Sequence, residues 1–322
     1  MEKKTSNEYD LSIVIVSYNC CQLITKCIES IYQFTENLRI QIIVSDNNSK
    51  DNTIETIEDK FPKVIILKNG ANLGFGAANN RALTFCQGPF ILFLNPDIIF
   101  IEPVLTKIIE FMQKHEEAGL VGCKLVNPDN SIQKSFLNAF PTLTNRFLEA
   151  IYVEKLLNKY KKPIKDDIKN VAAIVGACMF TRKHLIKKLN GFDESYFMYC
   201  EDIDLCYRVK QIGYNIYYFN NFAMFHHLGA TTKKNKKSYF SKVLIKESVY
   251  KYFAKHHGKM NAELYRILMI LGAIIRLWML LILGPFNKVL QISYDVGYAN
   301  SVLNYLKVIS WGLGFEKWAK KA

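Results

Sequence analysis

Short apolar runs alternate with amphipathic segments along the first hundred residues. The run Leu11–Val16 ends in Ser17-Tyr18-Asn19, after which Leu23, Cys27, Ile31 and Phe34 recur at helical spacing. A second run, Ile40–Val44, ends in Ser45-Asp46-Asn47-Asn48-Ser49-Lys50-Asp51 and leads into a helical stretch to about Lys60. Val64–Leu67 reads as a third strand, Asn72–Cys86 as a helix, and Phe90–Leu94 as a fourth strand closed by Asn95-Pro96-Asp97. Buried strands alternating with helices predict right-handed βαβ units and a largely parallel sheet. Working residues of such sheets gather at the carboxyl ends of the strands, so Tyr18, Asp46, Asn47 and Asp97 are expected in one crevice.

Beyond Gly119–Cys123 the pattern loosens. A polar segment, Asn127–Asn170, carries a helical patch near Phe147–Leu157 and reads as a loop-rich, acceptor-binding or mobile insertion. Val171–Phe180 returns as a core strand. In Gly191–Leu205 acids and aromatics interleave and open into a helix, with Leu205, Val209 and Ile212 at helical spacing and Gly213 as a stop. Glu201 and Asp202 thus stand at a helix start, where the dipole favours carboxylates and keeps them ionised, as a general base requires. The same residues would also serve as ordinary first-turn acids. Ile216–Phe219 and Ala223–Phe225 follow as short strands, the second delivering His226-His227.

The last third differs in kind. From His226 onward sixteen Lys and Arg face four Asp and Glu, so +12 of the chain's +13 net charge lies there. Ile267–Leu283 is apolar apart from Arg276 and is closed by Gly284-Pro285, short of the roughly 20 residues of a spanning helix. It is expected to be an in-plane or re-entrant anchor, with a buried helix of a helical subdomain as the alternative. Val302, Leu306, Ile309 and Leu313 share a face ahead of Lys317, Lys320 and Lys321, an interfacial pattern. Basic residues away from the working face favour an anionic membrane over nucleic acid.

With half of its 322 residues hydrophobic, the chain can bury a sizeable core. The polar start, Met1–Glu8, gives no secretory signal and predicts a cytosolic catalytic part. Eight cysteines without a CxxC pair predict reduced, mostly buried thiols and no zinc site. Asp97, behind a proline turn with Asn95, offers a carboxylate to a hard cation, although Asn-Pro-Asp is also common in plain turns.

Taken in order, Ser17-Tyr18-Asn19, Asp46–Asp51, Asn72–Arg81, Leu94–Asp97, Gly176–Met179, Gly191–Glu194 and Tyr199–Leu205 resemble the family-2 glycosyltransferases, and most closely a rhamnosyltransferase-type branch. The likeness covers about residues 10 to 255. It implies an α/β GT-A fold, Rossmann-like and mostly parallel, with helices on the sheet and a C-terminal helical, membrane-associating extension. It divides the chain at residue 232: a catalytic domain (nucleotide-sugar half about 10–125, acceptor half about 126–232), then the basic helical region 233–322. The family moves a sugar from a nucleotide diphosphate with inversion. The expected donor is dTDP-L-rhamnose, a UDP-hexose being the alternative, and the expected acceptor a glycan hydroxyl, lipid-linked, at the cytoplasmic membrane face.

On that resemblance Ser17, Tyr18, Asp46, Asn47, Asn72, Gly74, Phe75, Asn80, Asn95 and Asp97 would bind the nucleotide sugar, with Asp46 and Asn47 on base and ribose. Asp97 and His226 would hold Mg²⁺ or Mn²⁺. Asp202 matches the catalytic base, Glu201 would orient, and Asp193, Glu194 and Tyr199 would face the acceptor. Asn95 stands where the family's DxD metal motif has its first acid. The sequence leaves a homo-oligomer open. Three other readings compete with this one. Gly74–Asn79 resembles a dinucleotide fingerprint without its third glycine and after the third strand, which argues against a dehydrogenase. A nucleotidyltransferase on a similar sheet and a non-catalytic nucleotide-sugar scaffold are the others.

Overall fold

In a computed structural model of the protein, residues 8–35, 37–151, 153, 166–227, 238–283 and 298–321 are described. The first seven residues, the basic run Lys233–Lys237 and the Gly284-Pro285 closure lie outside them. The chain divides into two compact units. One comprises Met1–Phe140, Ile164–Phe197 and Glu201–Lys234; the other comprises Pro141–Pro163, Met198–Cys200 and Asn235–Ala322.

The first unit is built on a nine-stranded sheet. Strands β1 (Leu11–Ser17), β2 (Ile40–Asp46), β3 (Ile65–Lys68) and β4 (Phe90–Leu94) run parallel in the order β3-β2-β1-β4. Side chains alternate between two buried faces: Ile13, Ile15, Ile42, Val44, Leu92 and Leu94 enter one core, Val14, Ile43, Ile91 and Phe93 the other. Burial on both sides is why these strands read as nearly unbroken apolar runs. The other half of the sheet is mixed. Strand β10 (Cys178–Arg182) is antiparallel to both β4 and β6 (Ala118–Val126). Strand β11 (Asn215–His226) runs parallel to β6, while β5 (Ile98–Phe100) and β8 (Ile168–Asn170) pair antiparallel with β11. Hydrophobic periodicity reports burial and carries no strand direction, so the parallel expectation holds for the first four strands and for β6 with β11, while β10, β5 and β8 run against their neighbours.

Two other expectations change in detail. Ile216–Phe219 and Ala223–Phe225 form one strand whose register against β6 slips between Phe219 and Ala223. Val171–Phe180 divides into β9 (Ala173–Ile174), which pairs with β7 (Phe136–Leu137), and β10. The break falls where the Gly176 N–H leaves the sheet to reach a side chain. All eight cysteines are free thiols and seven are buried.

The second unit is helical. Leu143–Ala150 starts on a capping box, Thr142 Oγ1 accepting from the Asn145 N–H and Asn145 Oδ1 from the Thr142 N–H. Its other helices among the described residues are Ser238–His257, Lys259–Leu283, Tyr298–Gly312 and Lys317–Lys321. Trp311 Nε1 donates to the buried Glu247 carboxylate at 2.7 Å, which satisfies both groups. The helix Lys259–Leu283 outruns the apolar stretch read from sequence, because its polar first turns continue the same helix. It is long and apolar enough to cross a membrane by length and composition.

Candidate active site

The register of β1 on β2 sets Ser17 beside Asp46 at the ends of both strands. Asp46 has no exposed surface. Its Oδ1 accepts from Ser17 Oγ at 2.7 Å and Ser49 Oγ at 2.5 Å, and its Oδ2 from the Ser49 N–H at 2.9 Å. Asp46 thereby braces the loop after β2 from the interior. Asn47 is equally committed: its amide donates to Gly74 O at 3.1 Å and accepts from Asn69 at 2.9 Å. Tyr18, at the same end, is 46% exposed.

The turn Asn72–Phe75 is held from two sides. Asn72 Oδ1 accepts from the Gly74 N–H, and the Phe75 N–H donates to Phe197 O at 3.1 Å. Gly74 has φ +83°, and a Cβ there would stand 2.2 Å from Phe197 O, so only glycine fits. Asn80 is a clamp. It donates to Phe192 O at 2.8 Å and to Glu194 Oε1 at 2.9 Å, and accepts from the Phe192 N–H at 2.8 Å. Asn80, expected on the nucleotide, and Glu194, expected on the acceptor side, are thus bonded to each other; Asn80 fastens the acidic stretch to the helix Phe75–Leu83. Asp193 Oδ1 caps its own turn by accepting from the Ser195 N–H.

Glu201 opens the helix Glu201–Gln211 directly after Tyr199 and Cys200, both left-handed at φ 70° and 64°. Two consecutive non-glycine residues in that region store backbone strain next to the acids. Asp202 Oδ2 accepts from the Gly176 N–H at 2.9 Å and Oδ1 from the Ile203 N–H at 2.8 Å. A Cβ on Gly176 would meet Phe75 at 3.3 Å and Asp202 at 3.4 Å, so glycine there lets both approach. Burial pushes the Asp202 carboxyl above its ordinary pKa, partly offset by these N–H donors. Burial, and then repulsion from Asp202, pushes Glu201 well above the usual carboxylate range. The dipole therefore does not set the titration of this pair, as the helix-start position suggested; desolvation does. Glu201, whose Oε2 meets no donor, is pushed up by burial and by Asp202, while two N–H donors favour the charged form of Asp202. Asp204 is also buried but is spent on Arg208 at 2.7 Å.

Beside these acids, the Asn95 N–H donates to Ala177 O at 2.9 Å, which joins the end of β4 to the start of β10 next to Gly176. Asp97 follows, 5% exposed, with an Oδ1 that accepts no hydrogen bond. His226 Nε2 stands 3.3 Å from that oxygen. Burial lifts the Cys20 thiol to about 12, and Asp51, Asp46 and Asp97 add to the shift, so these acids surround one strand end. The structure thus gathers Ser17, Asp46, Asn47, Asp97, Gly176, Asp202 and His226 at the carboxyl edge of β1, β2 and β4.

The sequence profile described as Glycosyl transferase family 2 matches residues 12–189, more than half of the chain. The chain belongs to glycosyl transferase family 2. Among similar proteins, the rhamnosyltransferase WbbL of Escherichia coli K12 is 30% identical over 268 residues, 79% of this glycosyltransferase and 97% of WbbL. The N-acetylglucosaminyl-diphospho-decaprenol L-rhamnosyltransferase of Mycobacterium tuberculosis H37Rv is 25% identical over 272 residues, 77% of this chain and 85% of that protein. A mannosyltransferase from Pyrobaculum calidifontis, solved in complex with GDP-Man and Mn²⁺, has a TM-score of 0.59 at 14% identity and covers 96% of this chain and 88% of its own, a likeness of fold. The GT-A fold expected from the sequence is the fold of this glycosyltransferase.

Among the described residues no group of three or more His, Cys, Asp or Glu side chains converges on a cation. The Asp97–His226 pair still fits one: a buried carboxylate oxygen without a donor faces a ring nitrogen at bonding range for a shared cation. Substrate diphosphate and water would complete the shell. Sequence reading missed Gln133, whose amide bonds both the His226 ring at 2.8 Å and the His226 C=O at 2.8 Å. It lies in the loosely patterned segment after β6, where no periodicity or motif marks a single glutamine.

Proposed function

We propose that this enzyme is an inverting transferase that moves L-rhamnose from dTDP-rhamnose to a hydroxyl of a lipid-linked glycan, at the cytoplasmic face of the membrane. Catalysis is assigned to residues 1–232 and attachment to residues 233–322. The observation that carries the chemistry is the Asn95–Ala177 junction, which sets an ionised Asp202 on one side and the Asp97–His226 pair on the other. The names of the two relatives support rhamnose as the sugar, that of the Mycobacterium relative supports a lipid-diphosphate-linked acceptor, and the Mn²⁺ of the Pyrobaculum structure supports a divalent cation.

Displacement at an anomeric carbon needs a base for the attacking hydroxyl and relief of the charge that grows on the departing diphosphate. Asp202 takes the proton; its two N–H donors hold it in position before and after. Glu201, kept neutral, orients without adding a second charge. Asp97 and His226 would hold Mg²⁺ or Mn²⁺, which when bound neutralises the diphosphate charge. A single base with no second nucleophilic carboxylate gives one displacement and hence inversion. Tyr18, the exposed aromatic at the β1 end, stacks on the nucleotide base, while Asn47 and Asn72 shape the turn beneath the diphosphate. Asp193 and Glu194 line the acceptor side.

The test is nucleotide release and product formation with Mn²⁺, a prenyl-diphosphate-linked N-acetylglucosamine acceptor and a panel of dTDP-, UDP- and GDP-sugars. dTDP-rhamnose should give the fastest transfer and an inverted anomeric centre. Faster transfer from a UDP-hexose would overturn the donor, and binding without turnover for every donor would leave a scaffold.

A further inference from the structure

His226 is aimed by a chain of hydrogen bonds whose direction is fixed at its far end. Asp129 is a surface carboxylate that the Ser131 hydroxyl and N–H hold below the ordinary range, so it is ionised at neutral pH and only accepts. Ser131 Oγ therefore donates to Asp129 Oδ1, at 2.5 Å, and its lone pair is left to accept from Asn127 Nδ2 at 2.8 Å. That turns Asn127 Oδ1 toward Gln133, whose Nε2 donates to it at 2.7 Å and to the His226 C=O at 2.8 Å. With both amide hydrogens used, Gln133 can present only Oε1 to the His226 ring, 2.8 Å from Nδ1. Nδ1 must then carry the hydrogen. A neutral His226 has its lone pair on Nε2, and that lone pair faces Asp97 Oδ1 across 3.3 Å. Two acceptors held face to face in a buried site repel unless a cation lies between or beside them.

We propose that Gln133, aligned by Asp129, Ser131 and Asn127, is a positioning residue that fixes His226 as the Nδ1–H tautomer and so aims Nε2 at a divalent cation shared with Asp97. The inference rests on the cation reading given above for Asp97 and His226. It adds that the ligand set is prearranged by a polar loop outside the motifs of the fold. Breaking the chain should let Nε2 take the hydrogen and donate to Asp97, which would consume both lone pairs at once.

The tautomer can be read without metal. In long-range ¹H–¹⁵N spectra of the full-length protein, followed up the pH scale until the imidazole pattern no longer changes, His226 should show the Nδ1–H pattern, assigned by its loss in His226→Asn. In Gln133→Leu the Nε2–H pattern should emerge, and Mn²⁺ affinity measured by electron paramagnetic resonance should fall by roughly 10- to 100-fold. Ser131 is at the surface, so Ser131→Ala keeps the packing and should give a smaller change of the same sign in both readouts. An unchanged tautomer and unchanged Mn²⁺ affinity in Gln133→Leu would overturn the positioning role alone. Mn²⁺ affinity that survives Asp97→Asn would instead overturn the cation reading beneath it.

Discussion

In the sheet unit the side chains that break the ordinary rule of burial are polar and hidden: Asp46, Asp97, Glu201 and His226 are all below a tenth exposed. In the helical unit they are apolar and open, with Trp278 at 62% and Ile282 at 60%, joined along one side of the helix by Ile267, Leu271 and Ile275. Scattered exposed leucines carry no message, but buried polar groups and continuous apolar stripes do. Each buried acid of the sheet unit has a stated use, and those that lack a donor, Asp97 Oδ1 and Glu201 Oε2, lie where a cation and a proton are wanted. The buried Glu247 of the helical unit is satisfied by Trp311 and asks for nothing. One unit is therefore built to hold charge away from water, the other to offer apolar surface to something outside it.

The comparison breaks most easily at the charged end. Exhaustive chelation should abolish transfer, with recovery on adding Mg²⁺ or Mn²⁺, and Asp97→Asn should lower turnover by about 10²-fold or more even in saturating metal. Full activity after chelation would mean that basic residues neutralise the diphosphate. Asp202→Asn keeps the shape and can keep one of the two backbone hydrogen bonds, those from the Gly176 and Ile203 N–H groups, but removes basicity, so turnover should fall by about 10²-fold while donor binding, followed by calorimetry, survives. Near-normal turnover would remove Asp202 from its role.

How much of this was legible beforehand depends on whether a feature is local. The four parallel strands, their polar ends and the helix at Glu201–Gln211 follow from period and punctuation, because buried strands and capped helices are written within ten residues. The antiparallel return of β10, between β4 and β6, was not legible, since it depends on where the chain goes after a polar excursion of some forty residues. Motif resemblance located Asp46 and Asn80 but could not show that one braces the loop after β2 and the other clamps the acidic stretch, since that lies in which way a side chain points. Nor could it find Gln133, which matters only through the orientation of its amide. The charge state of Glu201 was misread from helix position, because the dipole contributes a small term and burial a large one.

That last correction gives the next test. Gln mimics a protonated Glu, so Glu201→Gln should retain turnover within about tenfold and leave the acid limb of the pH–rate profile in place, since a neutral neighbour did not shift Asp202. That limb reports Asp202: rate falls as pH drops through its raised pKa. For stability the sign is fixed by the raised folded-state pKa of Glu201. Its contribution is full below the unfolded value and is lost as pH rises through the folded one. Thermal unfolding across pH 5 to 9 should therefore show Glu201→Gln gaining on the wild type as pH increases. A loss of turnover as large as that of Asp202→Asn would show that Glu201 works in its charged form.

The helical unit should yield the smallest effect on chemistry and the clearest effect on location. Its helix Lys259–Leu283 has 25 residues, about 37 Å at 1.5 Å per residue, and carries Arg266 and Arg276. An apolar stripe together with +12 of net charge makes a two-part membrane signal: insertion, which salt leaves alone, and attraction to anionic lipid, which salt screens. Each basic residue near such a surface adds about 1 kcal/mol at most. Raising salt to 1 M should therefore release only part of the enzyme from phosphatidylglycerol vesicles. Replacing Ile267, Leu271 and Trp278 by serine should release most of it at low salt. Transfer to a soluble acceptor analogue should stay within about twofold in the serine variant, because none of these side chains enters the core, while transfer to a vesicle-borne acceptor falls with binding. Complete release by salt alone would make the attachment electrostatic, and a wild type that ignores anionic vesicles at low salt would turn the stripe into a contact between copies of this chain.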